Sequence, residues 1–193
     1  MTDHTDMGGA RRGGAAWWRI APWIGAGGLL LTPLIAMQFT EEVQWTASDF
    51  VVMGVLMAVP LGAFELAVRT SPSIAFRAGV AVAMVATFLL VWINLAVGII
   101  GSEDNPANLM FFGILALGVA GAFVADFRAA GLARALLVVA AAQGLVGVVA
   151  LAARWGEEGA NWPQVIVVMA GLFATLWLGA AWLFHKAARN QAS

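Results

Sequence analysis

The sequence predicts an all-α, polytopic membrane protein built as a six-transmembrane-helix bundle. Three observations predict it. The chain is 62% hydrophobic and only 11% charged, with a mean hydropathy of +0.87, whereas a soluble domain carries about 25% charged residues. Its apolar residues fall into six stretches, each close to the ~20 residues that cross a ~30 Å hydrocarbon core as a helix. Its basic residues gather at alternate ends of those stretches. Runs such as LLVWINLAVGII (Leu89–Ile100) do not alternate in polarity as barrel strands would. Backbone within lipid must satisfy its own hydrogen bonds, which leaves helices.

The six segments are read as Trp18–Gln38, Asp49–Val68, Phe76–Ile100, Asn108–Phe127, Leu132–Ala153 and Pro163–Phe184. Before the first lies a polar, Gly-rich stretch, MTDHTDMGGARRGGAA, whose composition predicts a disordered tail over residues 1–16. Arg11 and Arg12 resemble the basic start of a signal peptide. The apolar stretch that follows, Trp17 to Phe39, is too long for a signal core of 7–15 residues. The transmembrane domain is thus expected over residues 17–187, with a short tail at 188–193. Pro33 and Pro60 fall in mid-segment, where each removes a backbone hydrogen bond and predicts a kink.

Lys and Arg set the orientation. Arg11, Arg12 and Arg19 precede the first segment, Arg69 and Arg77 flank the second turn, and Arg128 and Arg134 the fourth. Lys186 and Arg189 follow the last segment. All share one side, which the positive-inside rule makes the cytoplasm, with both termini on it. Arg154 alone lies opposite. That opposite side is acidic: Glu41, Glu42, Asp49, Glu103, Asp104, Glu157 and Glu158 are seven of the eleven acids. Trp45, Trp155 and Trp162 stand among them, where an indole is half in lipid and half wet.

Segments two, four and six resemble one another: GVLMAVPLGAFELAVR from Gly54, GILALGVAGAFVADFR from Gly113, and GLFATLWLGAAWLFHK from Gly171. One reading is a helical hairpin repeated three times. The other is that frequent glycine (22 residues) and a basic residue at each cytoplasmic end produce the likeness. On either reading, Gly54 and Gly62, and Gly171 and Gly179, form small-residue stripes of the kind that let membrane helices approach closely. They are expected at helix–helix contacts, whereas the stripe in segment four breaks at Leu117.

The chemistry-bearing residues are few. GSEDNPANLMFF (Gly101–Phe112) divides two apolar runs. Asn105 or Asp104 fits the N-cap of the fourth helix, with Pro106 in its first turn, and acid near a helix N-terminus suits the macrodipole. Ser48-Asp49 and Asn161-Trp162-Pro163 fit the same role before the second and sixth helices. The competing reading makes Glu103, Asp104, Asn105 and Asn108 oxygen ligands for Ca²⁺ or Mg²⁺. Their spacing is not that of an EF-hand. Inside the apolar segments, Glu65, Asn94 and Gln143 form a possible intramembrane polar site, since buried ionisable and amide groups in lipid mark function by default. The ordinary roles are an i,i+4 pair of Glu65 with Arg69 and interhelical hydrogen bonds for the two amides.

There is no Cys, which excludes disulfides and thiolate chemistry. The sequence holds no HExxH, serine elbow or Walker loop. Its only histidines, His4 and His185, cannot face each other across a bundle. No enzyme, cofactor or nucleic-acid partner is expected. The partners expected are the lipid bilayer and either other membrane proteins or a second copy of the chain. The leading function is that of a non-enzymatic accessory or interaction subunit. The alternative is a small cation or solute transporter or channel with an acidic outer vestibule.

The stretch NLAVGIIGSEDNPANLMFFG (Asn94–Gly113) resembles a segment of a family of small, uncharacterised multipass inner-membrane proteins of alphaproteobacteria. The resemblance covers mainly segments three to five. It implies a bacterial inner membrane and brings no assigned chemistry.

Overall fold

A computed structural model describes residues 10–159 and 161–192, with side chains from Ile20 to Gln191. All regular structure among them is helical: α1 (Ala10–Ala36), α2 (Ala47–Thr70), α3 (Ile74–Ala96), a 3₁₀ turn (Pro106–Asn108) leading into α4 (Leu109–Val124), α5 (Ala129–Ala152) and α6 (Gln164–Ala192). Five of these, α2, α3, α4 with its leading turn, α5 and α6, are long and apolar enough to cross a membrane. The apolar part of α1 is shorter, Ile20–Ala36. The stretch expected to be a disordered tail is helical from Ala10, and residues 1–9 lie outside the described residues. Residues 188–192 of the expected C-terminal tail likewise continue α6, and residue 193 lies outside the described residues. Pro22, Pro33 and Pro60 all sit inside continuous helices.

The chain divides into two compact units, residues 1–65 and 66–193. In the first, α2 begins with a box of short polar bonds. Asp49 Oδ2 accepts from the backbone N–H of Thr46 at 2.6 Å and from its hydroxyl at 2.8 Å. Thr46, not Ser48 or Asp49, therefore holds the cap position, and Asp49 reaches back from the first turn. Trp45 packs edge-on against Phe50 at 5.2 Å.

In the second unit, α6 packs on α5 and on α3, and α4 packs on α5. Lipid tails are as apolar as leucine, so close fit rather than water exclusion holds such helices together. Glycine supplies the fit at three places. A Cβ on Gly147 of α5 would lie 2.6 Å from Ala170 Cβ of α6, and one on Gly121 of α4 would lie 2.7 Å from Ala135 Cβ of α5. Gly79 of α3 lies under the Phe184 ring, which also meets Phe76 edge-on at 5.2 Å. Leu90, Phe173, Val139, Trp177 and Ile166 fill the space between.

The expected glycine stripes are corrected by the same geometry. A Cβ built on Gly54, Gly62, Gly171 or Gly179 meets no atom within 4 Å, and the same holds for Gly113. Among the described residues, Gly54 and Gly62 make no close contact within the first unit, nor Gly113, Gly171 and Gly179 within the second. The likeness of the three segments therefore carries no shared packing role, and the three-hairpin repeat gains no support from it.

α3 ends four residues before the expected Ile100. Val97–Ile100 leave the helix, with Gly98 at φ 70° and Gly101 at φ 73°, a region that costs a side chain with a Cβ. Ile99 and Ile100 are nonetheless fully buried. Hydropathy reports burial, not helicity, so a buried loop extended the apparent helix.

Candidate functional site

The segment between α3 and α4 is a plug, buried at Gly98–Ile100 and exposed at Gly101–Asp104. Asn108 holds it. Its side-chain Oδ1 accepts from the backbone N–H of Ile99 at 3.1 Å and of Ile100 at 2.9 Å. Its Nδ2 donates to Ile100 O at 3.3 Å and to Ser102 O at 2.7 Å. The amide replaces the helical partners that Ile99 and Ile100 lost when α3 stopped, and it does so in a buried position. Asn105 caps the 3₁₀ turn, as the sequence predicts: its Oδ1 accepts from Ala107 N–H at 3.0 Å, with Pro106 following.

This plug meets the loop between α5 and α6. A Cβ on Gly156 (φ 75°) would lie 2.5 Å from Gly101 N, so the two backbones touch where only glycine fits. The two acidic loops thus share one end of the second unit. Arg154, the basic residue on this acidic side, pairs with Glu157 and lies 5.8 Å over the Trp162 ring. A local carboxylate and an aromatic face account for its place there. Glu103, Asp104, Glu157 and Glu158 are all exposed. Of the four suggested cation ligands, Asn108 and Asn105 already use their oxygens on backbone N–H groups. Among the described residues no group of three or more His, Asp or Glu could hold a metal ion.

Besides Asn108, two amides are buried among the described residues. Asn94 is buried and donates to Leu90 O at 2.7 Å, within its own helix rather than across to another. Its Oδ1 has no partner. Gln143 is 0% exposed, and neither of its amide atoms has a partner. The contacts of Gly118 with Val139 and of Gly147 with Ala170 set the register of α4, α5 and α6. They put Gln143 level with Ile114 and Ala174, in the middle of the unit. The contact of Gly79 with Phe184 places Asn94 nearer the acidic end, about 8 Å further along the α6 axis at 1.5 Å per residue. The amides therefore occupy two levels along the helix axes. Trp162 Nε1 and Trp177 Nε1 are also buried with no partner among the described residues. Glu65 is half-buried near the end of the first unit, and neither it nor Arg69 is free.

No protein-family model, curated protein or solved structure matches the chain. The residues themselves carry the functional argument.

At the opposite end of the second unit, basic residues serve two purposes. Arg77, expected only as a topology signal, caps the end of α2: its Nε donates to Ser71 O at 2.8 Å and an Nη to Val68 O at 3.1 Å. Ser73 caps α3 through Phe76 N–H at 3.3 Å. Arg128, Arg134, His185, Lys186 and Arg189 stay exposed. Two open grooves lie among them, of about 420 and 620 Å³, both touching Ala130. Sequence reading singled out none of their lining residues as a site. The signal was present in the pairing of Trp182 with Lys186 one turn on, a cation–aromatic pair at a helix end.

Proposed function

We propose that the chain is a non-enzymatic, six-span membrane protein of a bacterial inner membrane with both termini in the cytoplasm, acting as an accessory or interaction subunit. The reading that α1 is the sixth span rests on Ile20–Ala36 together with the apolar residues on either side of it. The observation that carries the accessory reading is the filled interior of the second unit. Gln143 and Asn94 lie at separate levels, both buried, and Phe173, Leu90 and Val139 of the hydrophobic core are fully buried too. A transporter needs an open polar path, and these two amides are closed off from solvent, at 0% and 4% exposure. The outward faces of α4, α5 and α6 instead present large apolar side chains such as Val119, Leu145 and Val168, which suit lipid or a partner helix.

The test is purification of a tagged chain from native membranes in mild detergent, with mass spectrometry of what accompanies it. A stoichiometric membrane protein, missing from a control with an unrelated multi-pass protein, is the expected result. Solute flux in liposomes holding only this chain, abolished by Gln143→Leu, would overturn the reading.

One observation favours the transporter or channel alternative: the meeting of the two acidic loops at Gly101 and Gly156. Carboxylates gathered at one mouth attract cations. If they bind one specifically, Ca²⁺ or Mg²⁺ raises thermal stability by RT ln(1 + [L]/Kd), and Glu103→Gln with Asp104→Asn removes the gain. The expected result is that divalent ions do no more than salt of matched ionic strength.

A further inference from the structure

α5 and α6 run antiparallel and touch closely where Gly147 meets Ala170. Toward their Arg-rich end an open groove of about 420 Å³ lies between them. Its walls change character with depth. Leu137 on α5 and Leu178 and Ala181 on α6 line the deeper part, while Arg134 and His185 line the mouth and Trp182 stands at its side. At 1.5 Å per residue, Leu178 lies about 10 Å deeper than His185 along α6. Arg134 uses one N–H on Ala130 O at 3.3 Å. Its other guanidinium N–H groups, and the His185 imidazole, have no hydrogen-bond partner among the described residues. Lys186 Nζ sits 5.5 Å over the Trp182 ring, which holds a further cation at the lip. Among the described residues no carboxylate lines this groove. The neighbouring groove, which shares Ala130 with it, adds Arg128 and likewise has no carboxylate among its described lining residues.

We infer that this groove binds an anionic phospholipid of the leaflet at the Arg-rich end, with the phosphodiester at Arg134 and His185 and an acyl chain along Leu137 and Leu178. The inference rests on the membrane-spanning reading above. A guanidinium presents paired N–H donors that match two phosphate oxygens. Basic pockets between helices on the cytoplasmic side hold anionic headgroups for this reason. The apolar depth distinguishes a lipid from a soluble anion, because free phosphate has nothing to place against two leucines. The missing carboxylate distinguishes an anionic headgroup from a choline headgroup, whose ammonium would find cations as its only charged neighbours.

The test uses the full chain, purified in detergent and stripped of lipid. Native mass spectrometry and thermal unfolding are read with phosphatidylglycerol, with phosphatidylcholine and with inorganic phosphate. Phosphatidylglycerol is expected to stay bound and to raise the unfolding temperature saturably, and the other two are not. Arg134→Gln together with His185→Ala should weaken phosphatidylglycerol roughly tenfold or more, the scale of one lost charge-assisted contact. Arg154→Gln, at the opposite end, should leave it unchanged. Arg134 and His185 are exposed, so the lipid-free unfolding temperature of the double variant should match the parent and show that it folds. Equal shifts from both lipids, or full affinity in the double variant, would overturn the assignment. So would inorganic phosphate reproducing the shift, since the ligand would then be a soluble anion. A chain that stays soluble without detergent would refute the membrane reading itself, which is a separate failure.

Discussion

At the scale of single residues, Asn108 and Gln143 make opposite use of the same amide. Asn108 is saturated, accepting two backbone N–H groups and donating to two carbonyls. Gln143 is as deeply buried and bonds to nothing. A buried donor or acceptor deprived of its partner costs about 1–3 kcal/mol. Asn108→Ala strands Ile99 and Ile100 N–H in a dry place, so it should destabilise the protein by about 3 kcal/mol or more. Asn105→Ala removes only a cap and should cost about 1 kcal/mol. Thermal unfolding in detergent checks the order of the two. Gln143→Leu should go the other way, to neutral or stabilising, because it removes two unsatisfied groups and keeps the volume. A large loss of stability in that variant would mean that Gln143 has a partner in the membrane. Sequence spacing could place Asn108 at a helix start. It could not show that the four residues before Gly101 turn back toward this side chain, because that depends on where α3 stops.

At the scale of elements, the helices were legible and their contacts were not. Hydropathy marked six segments, and five of them are helices long and apolar enough to cross a membrane, because lipid and core both demand apolar residues of helical length. The same uniform apolarity hides which face of a helix meets another, since lipid-facing and neighbour-facing positions carry the same residue types. Glycine spacing therefore misled: Gly54, Gly62, Gly171 and Gly179 stand open, while Gly79, Gly121 and Gly147 make the close approaches. The difference predicts opposite signs for one substitution. Gly147→Ala pushes a methyl to 2.6 Å from Ala170 Cβ and forces α5 and α6 apart, at about 1–3 kcal/mol for such overpacking. Gly171→Ala meets no atom and gains about 0.5–1 kcal/mol from the better helix former. Paired unfolding measurements check this. A loss at Gly171 as large as at Gly147 would place α6 against a surface outside the second unit.

At the scale of the whole molecule, charge separation is the feature that sequence and structure share. In the second unit, the α3–α4 and α5–α6 loops meet at Gly101 and Gly156 and carry Glu103, Asp104, Glu157 and Glu158. The other end brings Ser71, Arg128 and Gln191 around one groove. Charged loops of opposite sign at the two ends of antiparallel helices match the pattern that translocation leaves in membrane proteins, where Lys and Arg are held back on the cytoplasmic side. Arg154 does not break the pattern, because Glu157 neutralises it locally. The chain has no cysteine, so single cysteines report orientation without background. Placed at Ser102 and Glu158, both exposed on the acidic loops, they should react with an impermeant maleimide in intact spheroplasts. Placed at Ala130 and Gln191, exposed at the basic end, they should react only after lysis. The reverse pattern would invert the orientation and move the lipid groove to the outer leaflet. Labelling of all four in intact cells would mean that the second unit does not span the membrane, whatever its hydropathy.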